Sequence, residues 1–280
     1  MPELPEVETI RKGLEKYIVG KNILDIEILD KKLYQLDRLH LKGAKFTTVK
    51  RFGKGLVMDL DNGYSVAVHI KLTGQFIYRG PETEKLVPSP KIVGALPSKF
   101  TRLIFKLDKN AYLFFNDVRR FGWVKLVKSS DVDKLPFFKE LGPEPFKDLT
   151  LEYFDKVIKK SNSPVKTLLM DQKKIGGVGN IYANDALNLS RIDPRRKGSS
   201  LSGAEISKLF QAILDVLKDG LKYQGATEIN FVNAEGREGG YQNHLLIYGR
   251  EGEKCKNCKG VIKKIFLAGR GTYFCEKCQK

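Results

Sequence analysis

The stretch Gly55-Leu56-Val57-Met58-Asp59-Leu60-Asp61-Asn62-Gly63-Tyr64-Ser65-Val66-Ala67-Val68-His69-Ile70 places two apolar, β-branched runs on either side of Asp61-Asn62-Gly63. Short strand-forming runs joined by Asn-Gly are the signature of a hairpin. Similar runs occur at Ile23 to Leu29, Arg102 to Leu107 and Ala111 to Phe115, the last two joined by Asp108-Lys109-Asn110. This first half therefore predicts an antiparallel sandwich or barrel. Ahead of it, Leu4, Val7, Ile10, Leu14 and Ile18 recur at helical spacing, with Glu3, Glu6 and Glu8 where the helix dipole favours acids. A flanking amphipathic helix is expected there.

Downstream the pattern changes. Four prolines between Gly80 and Lys99 argue for a long surface loop, and Leu135 to Pro145 reads as a linker. Leu151 to Lys160, Pro164 to Met170 and Asn180 to Leu189 predict helices, and Ile206, Leu209, Phe210, Ile213, Leu214, Leu217 and Leu221 mark a longer one. The fold class is α+β: a β-rich half, a helical half and a cysteine tail. The expected boundaries are 1–134, a linker at 135–149, 150–244 and 245–280.

Lys and Arg number 50 against 33 Asp and Glu, a formal charge of +17. That excess suits a phosphate backbone as partner, and no basic amphipathic helix points to a membrane surface instead. No apolar stretch approaches the ~20 residues of a membrane span, and the N-terminus has no leader pattern. Cytoplasmic residence is expected by default.

Cys255-Lys256-Asn257-Cys258 and Cys275-Glu276-Lys277-Cys278 carry two Cys-x2-Cys pairs sixteen residues apart. This is zinc-ribbon spacing, in which four thiolates complete a tetrahedron. Disulfides are the competing reading, disfavoured in a reducing compartment. A tail this short builds no core of its own, so a structural zinc ion would supply its folding energy. Within it, Gly269-Arg270-Gly271 suits a hairpin tip close to a ligand, with Arg270 free to fork onto a phosphate. By itself Arg270 is equally a solvated turn residue.

Three further features are weak one by one. Gly176-Gly177-Val178-Gly179-Asn180 leads between two helices, where free N–H groups can receive a phosphate or where the chain merely turns. In Asn116-Asp117-Val118-Arg119-Arg120-Phe121-Gly122, Arg119 and Phe121 share a face if the strand end stays extended, so that a cation and a ring could enter a duplex together. Met1-Pro2 starts are common, yet removal of Met1 would leave Pro2 with a secondary α-amine. Such an amine titrates near ~8 and is partly neutral and nucleophilic at physiological pH.

Taken together, Pro2-Glu3-Leu4-Pro5-Glu6-Val7-Glu8-Thr9, Arg119-Arg120-Phe121-Gly122, Gly177-Val178-Gly179-Asn180-Ile181-Tyr182-Ala183-Asn184 and the zinc ribbon closely resemble the formamidopyrimidine-DNA glycosylases, in order and over nearly the whole chain. The resemblance implies an N-terminal β-sandwich, a helix-two-turn-helix domain, and a monomeric base-excision enzyme acting on oxidised purines in duplex DNA. In catalysis it gives Pro2 the nucleophile's role, Glu3 that of acid, Lys54 a proton-donating role in β-elimination and Arg270 a phosphate-binding role in δ-elimination. Arg119, Phe121 and Leu72 become the wedge that fills the gap left by an extruded base, and Asn180 and Lys166 join the DNA contacts. Residues 230–244 resemble the loop that closes over that base.

Three departures stand out: Leu72 where methionine is usual, Phe100 where a histidine is expected, and an unusually long 80–99 loop. Methionine is the more flexible gap filler. Two alternatives remain, an endonuclease VIII-like enzyme for oxidised pyrimidines and a non-catalytic damaged-DNA-binding protein. Leu4 to Glu8 speaks against the first, and a role for Pro2, Glu3 and Lys54 against the second.

Overall fold

A computed structural model of the chain describes residues 1–34, 36–94 and 96–280. Ala95, inside the long loop, lies outside the described residues. The chain divides into two compact units: Met1–Lys139 with Tyr223–Gln242, and Glu140–Lys222 with Asn243–Lys280.

The first unit opens with α1 (Leu4–Ile18) and continues through β1 (Ile23–Ile28), the short α2 (Arg38–Leu41), β2 (Phe46–Phe52), β3 (Gly55–Leu60), β4 (Tyr64–His69), β5 (Gly74–Arg79), β6 (Thr101–Leu107), β7 (Ala111–Asp117), β8 (Trp123–Lys128) and the single turn α3 (Pro136–Lys139). Two four-stranded antiparallel sheets result, ordered β1-β6-β7-β5 and β2-β3-β4-β8. Leu56, Met58, Val66 and Val68 share one core with Phe76, Phe105 and Phe115 and with Val7, Ile10, Leu14 and Ile18 of α1. The expected hairpin and helix are both present.

Three strands escaped the sequence reading, each for a physical reason. The β2 and β8 strands edge their sheet, and their polar Thr47, Thr48, Lys50, Arg51, Lys125 and Lys128 hide the apolar alternation. Charged side chains of this kind are how exposed edges avoid further pairing. The β5 strand is also an edge, yet it is buried, because Tyr78 N–H donates to Ala234 O at 2.8 Å. Its cover comes from the returning segment 223–242. Residues 150–244 were expected to lie wholly with the helical half, so this is a correction: an apolar sheet edge with unpaired amides needs a cover, and the chain comes back to supply one. A Cβ on Gly13 would stand 2.7 Å from Ala234 Cβ, so only glycine lets α1 and the returning segment approach this closely.

The second unit holds α4 (Leu151–Lys159), α5 (Val165–Met170), α6 (Asn180–Ser190) and α7 (Gly203–Lys222), then the hairpin β9 (Lys263–Leu267) and β10 (Arg270–Phe274). All four helices match the expected runs. The expected linker contains the boundary between the units, although Phe137 and Phe138 are already packed against Phe52 and Trp123 in the first. Among the described residues no helix is long and apolar enough to cross a membrane.

Candidate active site and nucleic-acid interface

In the first unit Pro2 is buried behind an exposed Met1, and Glu3 is 3% exposed. Glu3 is the N-cap of α1, and its N–H donates to Glu6 Oε2 at 2.7 Å. Glu6 is as deeply buried, and its second oxygen accepts Ala226 N–H at 2.8 Å. A buried carboxylate needs such partners. One side chain thus ties the start of α1 to the returning segment 220 positions later. The spacing of Glu3 and Glu6 is that of a capping box, the one sequence signal that could have marked Glu6.

The Lys54 turn is fixed from the same helix. Glu8 on α1 accepts from Arg51 Nε at 3.1 Å, and Arg51 in turn donates to Gly53 O at 3.1 Å, with Gly53 at φ +55°. Lys54 is 3% exposed. Beside it, His69 is pulled down to about 3, chiefly by burial and then by the positive charges of Lys71 and Lys54. It is therefore neutral at physiological pH, and its Nδ1 accepts Lys71 N–H at 3.0 Å.

The turns that carry Leu72 and the stretch Arg119 to Phe121 are joined by a brace invisible in the sequence. Buried Thr73 donates its hydroxyl to Asp117 Oδ1 and accepts Arg119 N–H at 3.0 Å, while Asp117 Oδ2 accepts Gly122 N–H at 2.8 Å. The turns after β4 and β7 are thereby locked side by side. The strand does not stay extended as supposed: Arg120 adopts φ +58° and pairs with Asp30 at 2.6 Å. Arg119 and Phe121 still meet, through a cation–π contact with the guanidinium 4.7 Å from the ring centre. Phe121 is half exposed, so the stacked pair stands ready at the surface.

In the second unit the four Cys Sγ atoms lie within 4.8 Å of one another, none in a disulfide. Such a cluster fits four thiolates around one tetrahedral zinc ion. Cys255 and Cys275 share a small core with Ile247 and Ile262. From it the hairpin runs to Ala268 (φ +47°) and Gly269 (φ +71°), a two-residue turn with both residues left-handed. Arg270 follows, exposed.

The hairpin is held by residues first read as DNA contacts. Asn180 Nδ2 donates to Gly271 O at 3.2 Å. Lys166 donates to the same oxygen at 2.8 Å and to Thr272 Oγ1 at 2.7 Å. Lys166 is 1% exposed, which corrects its assignment: the ammonium anchors the Arg270 hairpin and does not face a ligand. Asn180 is half-buried and keeps surface at the start of α6, where Gly177 at φ +90° turns the chain in. Asp185, also missed, accepts the N–H groups of Leu246, Ile247 and Tyr248 at 3.0 to 3.1 Å and fixes the base of the zinc unit.

The profile of the Formamidopyrimidine-DNA glycosylase N-terminal domain matches residues 1–124, that of the Formamidopyrimidine-DNA glycosylase H2TH domain matches 141–231, and that of the zinc finger found in FPG and IleRS matches 252–280. The Formamidopyrimidine-DNA glycosylase of Pelotomaculum thermopropionicum is 37% identical over 100% of this chain and 99% of its own length. That of Lactiplantibacillus plantarum is 39% identical over 98% of each. Among solved structures, a Lactococcus lactis FPG variant with Fapy-dG-containing DNA superposes with a TM-score of 0.88 at 32% identity, covering 100% of both chains. The Lactococcus lactis protein with abasic-site DNA gives 0.87 at 32% identity and 99% coverage of each. With three of its family profiles matched in order along the sequence and a relative 37% identical over the full length, the chain belongs to the formamidopyrimidine-DNA glycosylase family.

Proposed function

We propose that this chain excises oxidised purines, 8-oxoguanine and formamidopyrimidines among them, from duplex DNA and cleaves the resulting abasic site by β- and δ-elimination. The observation that carries the reading is the buried Pro2-Glu3 start of α1, fixed by Glu6 through the Glu3 amide. The capping box that starts α1 also holds the buried Glu3 carboxyl next to the nitrogen that removal of Met1 would free as an amine.

C1′ is shielded inside the stack, so the nucleotide must first be extruded. Arg119, Phe121 and Leu72 fill the gap and offset the unstacking. With Met1 removed, the Pro2 amine attacks C1′ and the glycosidic bond breaks, the base leaving with a proton. The C1′–O4′ bond then opens, with Glu3 as acid protonating O4′, and the nitrogen lone pair forms an iminium at C1′. The resulting iminium acidifies the C2′ proton, whose loss expels the 3′ phosphate, with Lys54 as proton donor. A second elimination expels the 5′ phosphate, and water then hydrolyses the Schiff base and frees Pro2. Arg270 and Asn180 hold the phosphates through these steps, and zinc fixes the hairpin without touching a reacting bond. Cytoplasmic residence, at the nucleoid when on DNA, and action as a monomer belong to the same reading.

Single-turnover excision separates the alternatives. Duplexes with 8-oxoguanine opposite cytosine are expected to react at least ~10-fold faster than duplexes with an oxidised pyrimidine, a ratio within reach of pocket discrimination. A reversed ratio would favour the endonuclease VIII-like reading, and no product from either the binding-only one.

Two variants test the binding roles. Arg270→Ala is expected to lower the slope of log affinity against log salt by about 1, the loss of one phosphate contact. An unchanged slope would place Arg270 off the backbone. Arg119→Ala is expected to compress the preference for cytosine opposite the lesion by ~1–3 kcal/mol, the weight of one base-reading pair. Equal losses on all four pairings would remove its reading role.

A further inference from the structure

The long loop ahead of Lys99, which the family resemblance leaves unexplained, is docked within the first unit on the segment 230–238. Ser89 N–H donates to Gly236 O at 2.8 Å, and Ser89 Oγ to Glu238 Oε1 at 2.6 Å. Gln75, on β5 and wholly buried, sits between the two segments. Its Nε2 donates to Lys91 O at 2.9 Å and to Asn230 O at 2.5 Å, and its Oε1 accepts Val93 N–H at 3.3 Å. Ile92 packs with Val232 and Ile77 in an apolar cluster separate from the main core. Even Gly236, at φ +81°, is shaped to this contact, since a Cβ there would stand 2.5 Å from Ile92.

A surface loop rarely spends a buried amide on bridging two backbones. Its own carbonyls and amides would ordinarily be met by water. Here the side-chain amide of Gln75 satisfies both segments at once, so moving 230–238 would strand buried donors. From the other side, Tyr78 N–H on Ala234 O and Arg79 on Glu235 O at 3.0 Å hold the same stretch to the β5 edge.

We propose that residues 88–93, through Gln75, Ser89 and Ile92, form a strut that keeps 230–238 in the arrangement needed to close over an extruded base. In this protein the 80–99 loop is thus a specificity-determining element of base removal. The inference rests on the reading of 230–244 as the loop that closes over the base. It makes a distinction that a merely stabilising role does not: base excision needs the cover, whereas cleavage of a preformed abasic site has no base to cover.

The test uses the full-length, Met1-processed, zinc-loaded protein carrying Gln75→Glu, which keeps volume and loses the two donated bonds, and separately Ser89→Ala with Ser89→Thr as the conservative control. Amide hydrogen exchange over 230–238 is measured beside single-turnover rates on 8-oxoguanine opposite cytosine and on a preformed abasic site opposite cytosine. Faster exchange with about a tenfold loss of base excision, the weight of one net hydrogen bond, is expected from Gln75→Glu. A smaller loss in the same direction is expected from Ser89→Ala, with unchanged abasic cleavage and recovery in Ser89→Thr. Unchanged exchange would show that the strut holds nothing. Faster exchange with unchanged excision, or equal loss of both activities, would overturn the link to base removal. If the unsubstituted protein removed no base, the functional reading itself would fail, while the exchange arm would still decide whether the strut exists.

Discussion

Protein that retains Met1, or whose Pro2 nitrogen is otherwise acylated, is expected to give no borohydride-trapped adduct with a duplex carrying 8-oxoguanine opposite cytosine. The processed protein is expected to give one. While Met1 remains, the Pro2 nitrogen is an amide, its lone pair delocalised into the carbonyl and unable to attack. Removal of Met1 turns it into an α-amine titrating near ~8, partly neutral at physiological pH. Pro2 is buried and Met1 exposed, so that single cleavage creates the nucleophile in place without rearranging α1. The expected loss of base excision is roughly 10³-fold or more, as for other covalent nucleophiles. Affinity for the same duplex should stay within a few-fold, because Arg119, Asn180 and Arg270 are untouched. An adduct of equal yield from protein that keeps Met1 would move the nucleophile to a lysine, with Lys54 the first to examine.

Stripping zinc is expected to abolish DNA binding and turnover together. The apolar cluster beneath the hairpin β9–β10 is small, Ile247, Ile262, Cys255 and Cys275 with Tyr273 packed against them, and an isolated two-stranded ribbon is marginal in water. Structural zinc contributes ~10–16 kcal/mol in comparable small sites, far more than that cluster can. Without it Thr272 and Gly271 leave Lys166 and Asn180, and Arg270 loses its position on the left-handed turn. All four cysteines belong to the second unit, so the first should keep its sheets. The measurement is duplex affinity and abasic-site cleavage before chelation, after it and on zinc return, with circular dichroism following the strands. Full affinity in the chelated protein would remove the hairpin from the interface.

Several site residues could be read because their chemistry lies in short spacing. Two Cys-x2-Cys pairs announce a tetrahedral site wherever they fold. Leu56 to Ile70 announces a hairpin because strand alternation and turn chemistry act over a few residues. The Gly177 turn into α6 was legible for the same reason, and so was a hairpin tip near Arg270, although the turn itself is Ala268-Gly269 and Arg270 opens β10. The edge strands β2 and β8 were not, since an edge is defined by the absence of a neighbour and its polar residues mimic a loop. Lys166 misled in a different way. A lysine among DNA-binding motifs suggests a phosphate contact, and only its burial against Gly271 and Thr272 shows that it holds the hairpin.

What the sequence determined by itself is the set of local devices: the first helix and its acidic start, the central hairpin, the glycine turn and the zinc ligands. Each rests on periodicity, turn chemistry or ligand spacing within a short stretch. Tertiary structure decided how those devices combine. Thr73 meets Asp117 across 44 positions to align the wedge, Glu6 meets Ala226 across 220, and the proline-rich loop is strapped to 230–238 by a buried glutamine. Such contacts depend on which sheet edge is left uncovered and which buried polar group still lacks a partner. Neither is defined until the chain has folded, and no local pattern along it records them.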